Sequence, residues 1–381
     1  MPYELSEDEA LIRKVVREFA QEQVGLEAAH GRDRHDRFPW EALQAAAALG
    51  LTSLALAEDE GGAGAGPTAM ALALDEVAQV DPDLAAVLGV HNALALPLLR
   101  HAAPAVRSAR YKAAAEGQVV AVAATEEAYG SDKSRVGTVA RPDGDGFRIS
   151  GQKVWVMAAE GAAGFLVLAH VPDEGPTWFD VPADADGLVL GRNEALLGLR
   201  ASGIRAVYLD VDVDAERRVG DAGAGQALYQ EALPWHQVAT AAALNGCLAG
   251  AFSAAVDFAA SRVQFGKPIG SYQAVSGSVA EVELRLAASR ALTLEAAACL
   301  PAGGTAAAVA AARAKESAAA SAVWMTRTAI RIQGGTGFMR EGGTERFARC
   351  ARALQFVAEP SVAAHDLMKR NTLDIAFGPT P

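Results

Sequence analysis

The hydrophobic period of this chain changes twice, near residues 118 and 225, and that change constrains the fold more than any other feature. Before it, Ile12, Val15, Val16, Phe19 and Val24 recur at helical spacing. From Gln118 the texture differs. VVAVAAT (119–125), VGTVAR (136–141), FRIS (147–150), QKVWVM (152–157), FLVLAHV (165–171) and RAVYLDV (205–211) are short and rich in β-branched residues. Pro142-Asp143-Gly144-Asp145-Gly146 between two of them reads as a hairpin turn. From about residue 225 the helical period returns and runs to the end. The pattern predicts an α+β chain with an N-terminal helical domain (1–117), a central antiparallel β domain (118–224) and a C-terminal helical bundle (225–381).

Local signals agree. Ser6 and Glu9 have the spacing of a capping box, in which each side chain satisfies a backbone donor at a helix start. Pro39 suits the first turn of a helix and Gly50 its stop. EDEGGAGAGP (58–67) reads as a flexible loop. The stretch 306–323 is almost all alanine, with Arg313, Lys315 and Glu316 among it. Alanine is the best helix former and allows close helix approach, so this is expected to be a packed bundle helix rather than a linker.

Composition narrows the function classes. A chain of 381 residues with 51% hydrophobic residues has material for more than one core. A net charge of −12 argues against nucleic acid or an anionic membrane as the main partner. Cys247, Cys299 and Cys350 are far apart, with neither metal-ligand spacing nor an even count for disulfides. Buried thiols in a reducing cytoplasm are the expectation. The acidic, amphipathic start MPYELSEDEALIRK does not read as a signal peptide. No apolar run approaches the ~20 residues of a transmembrane helix, so no span is expected. A dinucleotide-binding G-x-G-x-x-G after a strand is absent, which argues against a nicotinamide enzyme.

Four stretches carry possible chemistry. Thr125-Glu126-Glu127-Ala128-Tyr129-Gly130-Ser131-Asp132 opens a strand into small and hydroxyl residues that can offer backbone donors to a ligand, though many β-turns look alike. Gly151-Gln152-Lys153-Val154-Trp155-Val156-Met157 places a flat indole on a strand, where it suits a ring system or a plain core. Arg262-Val263-Gln264-Phe265-Gly266-Lys267-Pro268 breaks two helices. It offers a guanidinium fork for a phosphate, or simply a solvated connection. Gln333-Gly334-Gly335-Thr336-Gly337 suits a helix exit where backbone meets a ligand, or a C-cap alone.

Taken together and in this order, the stretches resemble the acyl-CoA dehydrogenase family. The family patterns T-E-P-x-A-G-S-D, G-x-K-x-W-I-T, G-x-R-x-S-x-T, R-x-x-F-G-x-P and Q-x-x-G-G-x-G stand here as TEEAYGSD (125–132), GQKVWVM (151–157), GLRASGI (198–204), RVQFGKP (262–268) and RIQGGTG (331–337). The resemblance spans nearly the whole chain. It implies a C-terminal four-helix bundle and FAD as cofactor. Thr125, Gly130 and Ser131 would line the flavin and its pyrophosphate, and Trp155 would flank the ring. Arg262, Phe265, Gly334 and Gly335 would reach the FAD of a neighbouring subunit in a dimer or tetramer. Arg200 and Ser202 are read as structural. It also implies an acyl-CoA or other acyl thioester as substrate, electron-transfer flavoprotein as electron acceptor, and a place in fatty acid metabolism.

The chain departs from the pattern at several points. Met157 stands where a threonine would bond flavin N5, and a thioether cannot donate that bond. Arg331 replaces a flavin-contacting glutamine, Cys350 replaces the acid after Arg349, and Ile204 replaces a threonine. The base position, nine residues beyond Arg349, is Ala358. The next residue is Glu359, in Ala358-Glu359-Pro360-Ser361, with Ser361 in the hydroxyl position. Glu359 is the expected base. In other relatives the base lies on the first long C-terminal helix, where this chain has His236, the alternative. The implied reaction removes the proton beside a thioester carbonyl, passes hydride to flavin N5 and gives a 2-enoyl thioester. A flavin oxidase or monooxygenase, or a non-catalytic FAD or acyl-thioester binder, remains an alternative on the same scaffold.

Overall fold

The computed structural model describes residues 5–130 and 132–377. Its first region holds α1 (Glu7–Phe19), α2 (Leu26–Arg34), α3 (Trp40–Ala48), α4 (Gly66–Ala78), α5 (Pro82–Val90), α6 (Leu96–Leu99) and α7 (Pro104–Ala115). The capping box forms: Glu9 N donates to Ser6 Oγ at 3.2 Å, and Ser6 N to Glu9 Oε2 at 2.9 Å. One face of α1 buries Val16 and Phe19. Arg17 joins α1 to α4 through a two-pronged contact with Glu76 at 2.7 and 3.0 Å. Asp81 caps α5 by accepting from the backbone of Asp83 and Leu84.

Eight strands follow: β1 (Val119–Ala123), β2 (Val139–Asp143), β3 (Gly146–Val156), β4 (Ala162–Val171), β5 (Gly175–Pro182), β6 (Leu188–Asn193), β7 (Arg205–Asp214) and β8 (Arg218–Val219). They form one sheet in the order β6-β7-β3-β2-β4-β5-β8, with β1 added on β4. The hairpin at Gly144-Asp145 is present, joining β2 and β3 antiparallel. FRIS and QKVWVM are one strand rather than two. The sheet is also not purely antiparallel: β1 runs parallel to β4 from Val120↔Gly164 to Ala123↔Val167, and β2 touches β4 in parallel at Val139↔His170. A parallel pair needs a long connection, and the whole β2–β3 hairpin lies between β1 and β4 in sequence. One sheet face encloses its own core of Ile149, Phe165, Phe179, Val207 and Val211. From the other face, Val119, Leu166, Leu168 and Trp178 join the core shared by the helical regions.

The last region comprises α8 (Gly225–Ser261), a small hairpin of β9 (Val263–Gln264) and β10 (Lys267–Pro268), then α9 (Gln273–Cys299), α10 (Gly304–Gln333), α11 (Gly335–Phe338), α12 (Thr344–Leu354) and α13 (Ser361–Phe377). The alanine-rich stretch is the packed helix α10, with Ala311, Ala314, Ala318 and Ala322 buried and α8 its main neighbour. α8 also meets the N-terminal region at very short range. A Cβ at Gly246 would fall 2.1 Å from Asp75 O, and one at Gly250 2.4 Å from Gln79 O. The backbones of α8 and the end of α4 therefore touch at two points one turn apart.

One expectation needs correction. Pro82–Leu99 and Gly225–Ser261 are long and apolar enough to cross a membrane by length and composition. The sequence reading missed them because alanine, glycine and histidine interrupt the strongly apolar residues. In the structure the most apolar window of each is 100% and 78% buried inside the protein, as core helices are.

Candidate functional site

The end of β1 sets the site. Glu126 turns back into the protein and holds the loop that follows. Its carboxylate accepts from Gly137 N at 2.6 Å, from Thr138 N and Oγ1 at 2.8 and 2.7 Å, and from Lys153 Nζ at 2.7 Å. Burial opposes its ionisation, but the bonds from Lys153 and Thr138 outweigh it and its pKa lies below the usual range. The Lys153 side chain is fully buried. Burial holds its pKa down to about 8 against the pull of Glu126. This pair ties the segment after β1 to β3, and beside it Val154 N donates to Thr125 O at 3.0 Å.

At Trp155 the β3 strand bulges. The pairing with β7 is regular up to Lys153↔Val207 and resumes only at Val156↔Arg205. Trp155 takes φ +53, which turns its side chain out of the pleat and leaves it 56% exposed. Trp155 and Met157 thus line a cleft of about 660 Å³ together with Thr125, Gly130 and Lys133, Leu196–Leu199 with Ile204, Tyr229 and His236 of α8, and the turn from Arg352 to Pro360.

The cleft walls are mostly apolar, and few polar groups enter it. Lys133, 7% exposed, donates from Nζ to Thr125 Oγ1 at 2.9 Å and to Gly130 O. An ammonium cannot accept, so the Thr125 hydroxyl hydrogen is left free to donate to a ligand. A Cβ at Gly130 would meet no other described residue within 4 Å, its chain neighbours aside. Glu359 is half-buried in the turn, with φ +74 after Ala358 at φ +57. Burial raises its pKa above the carboxylate range, while Lys133 and Lys315 pull it back. His236 is 6% exposed, and burial together with the Lys315 charge lowers its pKa to about 4. Its Nδ1 has no hydrogen-bond partner among the described residues. Burial raises the Tyr229 phenol strongly, with Glu359 adding to the effect.

Of the sequence-derived site residues, the structure brings Thr125, Gly130, Trp155, Met157, His236 and Glu359 into one cleft. Ser131 lies outside the described residues. The others are elsewhere in this chain and do not line the cleft. Arg262 ends α8 on the exposed surface, where its backbone N–H donates to Phe258 O at 2.8 Å. Phe265, at φ +50 in the turn of the β9–β10 hairpin, is 94% exposed. Arg331 donates to Ser278 Oγ at 3.2 Å. Gly334 and Gly335 end α10, and a Cβ on either would meet open space. Ser361 starts α13 just past the cleft. Arg200 pairs with Asp36 at 2.7 Å and Ser202 Oγ donates to Leu199 O at 2.6 Å, consistent with their structural reading.

Sequence reasoning passed over Lys133, Lys153, Glu126 and Lys315. Lys133 carried a signal, as a basic residue directly after a loop of small and hydroxyl residues. Lys315 carried none, since a lysine in an alanine-rich helix reads as solvated.

An apolar cleft with a half-exposed indole and an outward-donating hydroxyl fits a flat, hydrogen-bonding ring system such as isoalloxazine. A carboxylate of raised proton affinity in the same cleft adds a base. Helical region, sheet, helical bundle and this cleft together define a flavin-dependent oxidoreductase. The sequence matches the N-terminal, middle and C-terminal domains of acyl-CoA dehydrogenase over residues 6–118, 121–211 and 223–358. It is 33% identical to the cyclohex-1-ene-1-carbonyl-CoA dehydrogenase of Geobacter metallireducens, over 92% of this chain and 94% of that protein. It is 30% identical to the short-chain specific acyl-CoA dehydrogenase of Bos taurus mitochondria, over 92% and 86% of the two. The butyryl-CoA dehydrogenase structure from Megasphaera elsdenii superposes with a TM-score of 0.93 at 25% identity, covering 98% of this chain and all of that one. The chain belongs to the acyl-CoA dehydrogenase family, FAD-dependent oxidoreductases acting on CH–CH donors.

Proposed function

We propose that this chain oxidises the Cα–Cβ bond of a saturated acyl-CoA, with Glu359 as the base. The observation that carries the reading is the placement of Glu359 in the same apolar cleft as Thr125, Trp155 and Met157. The α-proton passes to the Glu359 carboxylate. Bound FAD would supply the acceptor for the β-hydrogen and its electron pair, and the product would be a 2-enoyl thioester. Apolar walls exclude water and raise the proton affinity of the base. Lys133 orients the Thr125 hydroxyl, and Trp155 packs a flat face along the cleft. Met157 cannot donate a hydrogen bond, and the Thr125 hydroxyl can donate to a ring edge.

The exposed positions of Arg262, Phe265, Gly334 and Gly335 support a homo-oligomer in which each chain completes its neighbour's FAD site. Electrons would leave to an electron-transfer flavoprotein. The three free cysteines support a reducing compartment, the cytoplasm. Anaerobic mixing of the yellow holoenzyme with saturated acyl-CoAs of graded length and branching tests the reading. At least one should bleach the flavin and yield its 2-enoyl product. Ligands that bind without any redox change throughout the panel would sink it.

A further inference from the structure

We propose that Lys315 is a positioning residue for the reaction: from α10 it clamps the turn that carries Glu359 and holds that residue for proton abstraction. The proposal rests on Glu359 being the base.

The Lys315 side chain is 0% exposed, and its three ammonium hydrogens have three acceptors. Nζ donates to Gln355 O at 2.8 Å, to Glu359 O at 2.8 Å and to Glu316 Oε1 at 3.1 Å. The first two acceptors bracket the turn between α12 and α13. That turn needs holding. Ala358 and Glu359 sit consecutively in the left-handed region, at φ +57 and +74, where side-chain-bearing residues rarely stay unless the surroundings over-determine them. Pro360 then fixes the next φ and brings no N–H to anchor the chain. Lys315 grips the Glu359 peptide itself, so the direction of the carboxylate depends on it.

The counter-charge stays outside the cleft. Glu316 follows Lys315 on α10, and its Oε2 is 3.6 Å from His365 Nε2 on α13. Within the cleft, the charged and titratable groups facing Glu359 are Lys133 from the loop after β1, Tyr229 and His236 from α8 and Arg352 from α12. Of the two lysines that hold down the proton affinity of Glu359, Lys315 alone is hydrogen-bonded to its backbone. It acts twice, through geometry and through charge.

Two neutral variants separate the effects. Lys315→Gln keeps N–H donors and loses the charge, while Lys315→Met loses both. Each holoenzyme is mixed anaerobically with butyryl-CoA, or with whichever acyl-CoA bleaches the wild type fastest, across a pH series. Lys315→Gln should move the acid limb of flavin reduction up by about one pH unit and lose less plateau rate than Lys315→Met. Lys315→Met should show the same shift and lose at least about tenfold in plateau rate, as a misplaced base does. Its amides over residues 355–361 should exchange faster with or without substrate. Lys315→Arg should restore the limb. Wild-type limb and plateau in both neutral variants would overturn the assignment, and so would loss of FAD from both. Glu359→Gln separates the two levels. If it reduces flavin at the wild-type rate, the base is wrong. If it is slow while the Lys315 variants behave as wild type, only the clamp is wrong.

Discussion

Replacing Lys153 with methionine removes half of a buried ion pair without changing side-chain bulk much. Breaking such a pair by deleting one partner costs roughly 3–5 kcal/mol, mostly from the charge left behind. The Glu126 carboxylate would still accept from Gly137 N and from Thr138 N and Oγ1, so it is not stranded. We therefore expect Lys153→Met to cost about 3 kcal/mol, the low end of that range. Glu126→Gln is the harsher change. Among the described residues Glu126 is the acceptor of Lys153 Nζ, so the buried ammonium would keep an amide oxygen but lose its counter-charge, and the loss at pH 7 should approach ~5 kcal/mol. The double variant should fall short of the summed losses by at least about 1 kcal/mol. The pH dependence has a definite sign. The Lys153 pKa is lowered to about 8 in the folded protein, against about 10.4 unfolded. Between these values the unfolded chain binds more protons, so wild-type stability gains a contribution as pH rises through that window. Lys153→Met should lose the contribution. Urea titration followed by tryptophan fluorescence and by flavin release measures both quantities. Losses below about 1 kcal/mol for both single variants, with FAD retained, would refute the reasoning that this pair locks the loop.

Glu359→Gln should keep FAD and fold but slow acyl-CoA-dependent flavin reduction by at least ~10²-fold in stopped flow, the lower range for losing a general base. Because burial raises the Glu359 pKa, wild-type reduction should fall away on acidification at a pH above the usual carboxylate range, and Glu359→Asp should move that limb. His236→Leu removes a buried, unpartnered nitrogen, so thermal stability should hold or rise slightly and flavin reduction should stay within about tenfold of wild type. A 10²-fold loss in that variant would transfer the base to His236. Arg262→Ala should weaken FAD binding and subunit association together, read as a coupled loss of bound flavin and of mass in light scattering. A change in one without the other would sink the shared site.

The order of helices, strands and helices was legible because the period of apolar residues differs between the two kinds of element. The capping box and the β2–β3 turn were legible because their signals are local. The parallel placement of β1 was not, since it depends on a partner some forty residues away, and no local pattern encodes register with a distant strand. The site was half legible. Thr125, Trp155 and Glu359 could be placed by motif spacing, and the structure puts all three in one cleft, with Glu359 at φ +74. Lys133 and Lys315 were not placed, because burial of a long cation is a property of the packed whole. The apolar length of Pro82–Leu99 was passed over for the converse reason: composition alone does not separate a core helix from a spanning one, and here the helix is buried in the core.

The backbone contacts of Gly246 and Gly250 against the end of α4 bear on how a ligand gets in. Helices whose main chains meet at two successive turns have no side-chain layer between them to shear or compress. The first helical region and the bundle are therefore geared together and cannot part like jaws. Access to the cleft then depends on local motion at its rim and not on a parting of these two regions. The rate of acyl-CoA entry should therefore be insensitive to changes that stiffen the helical core.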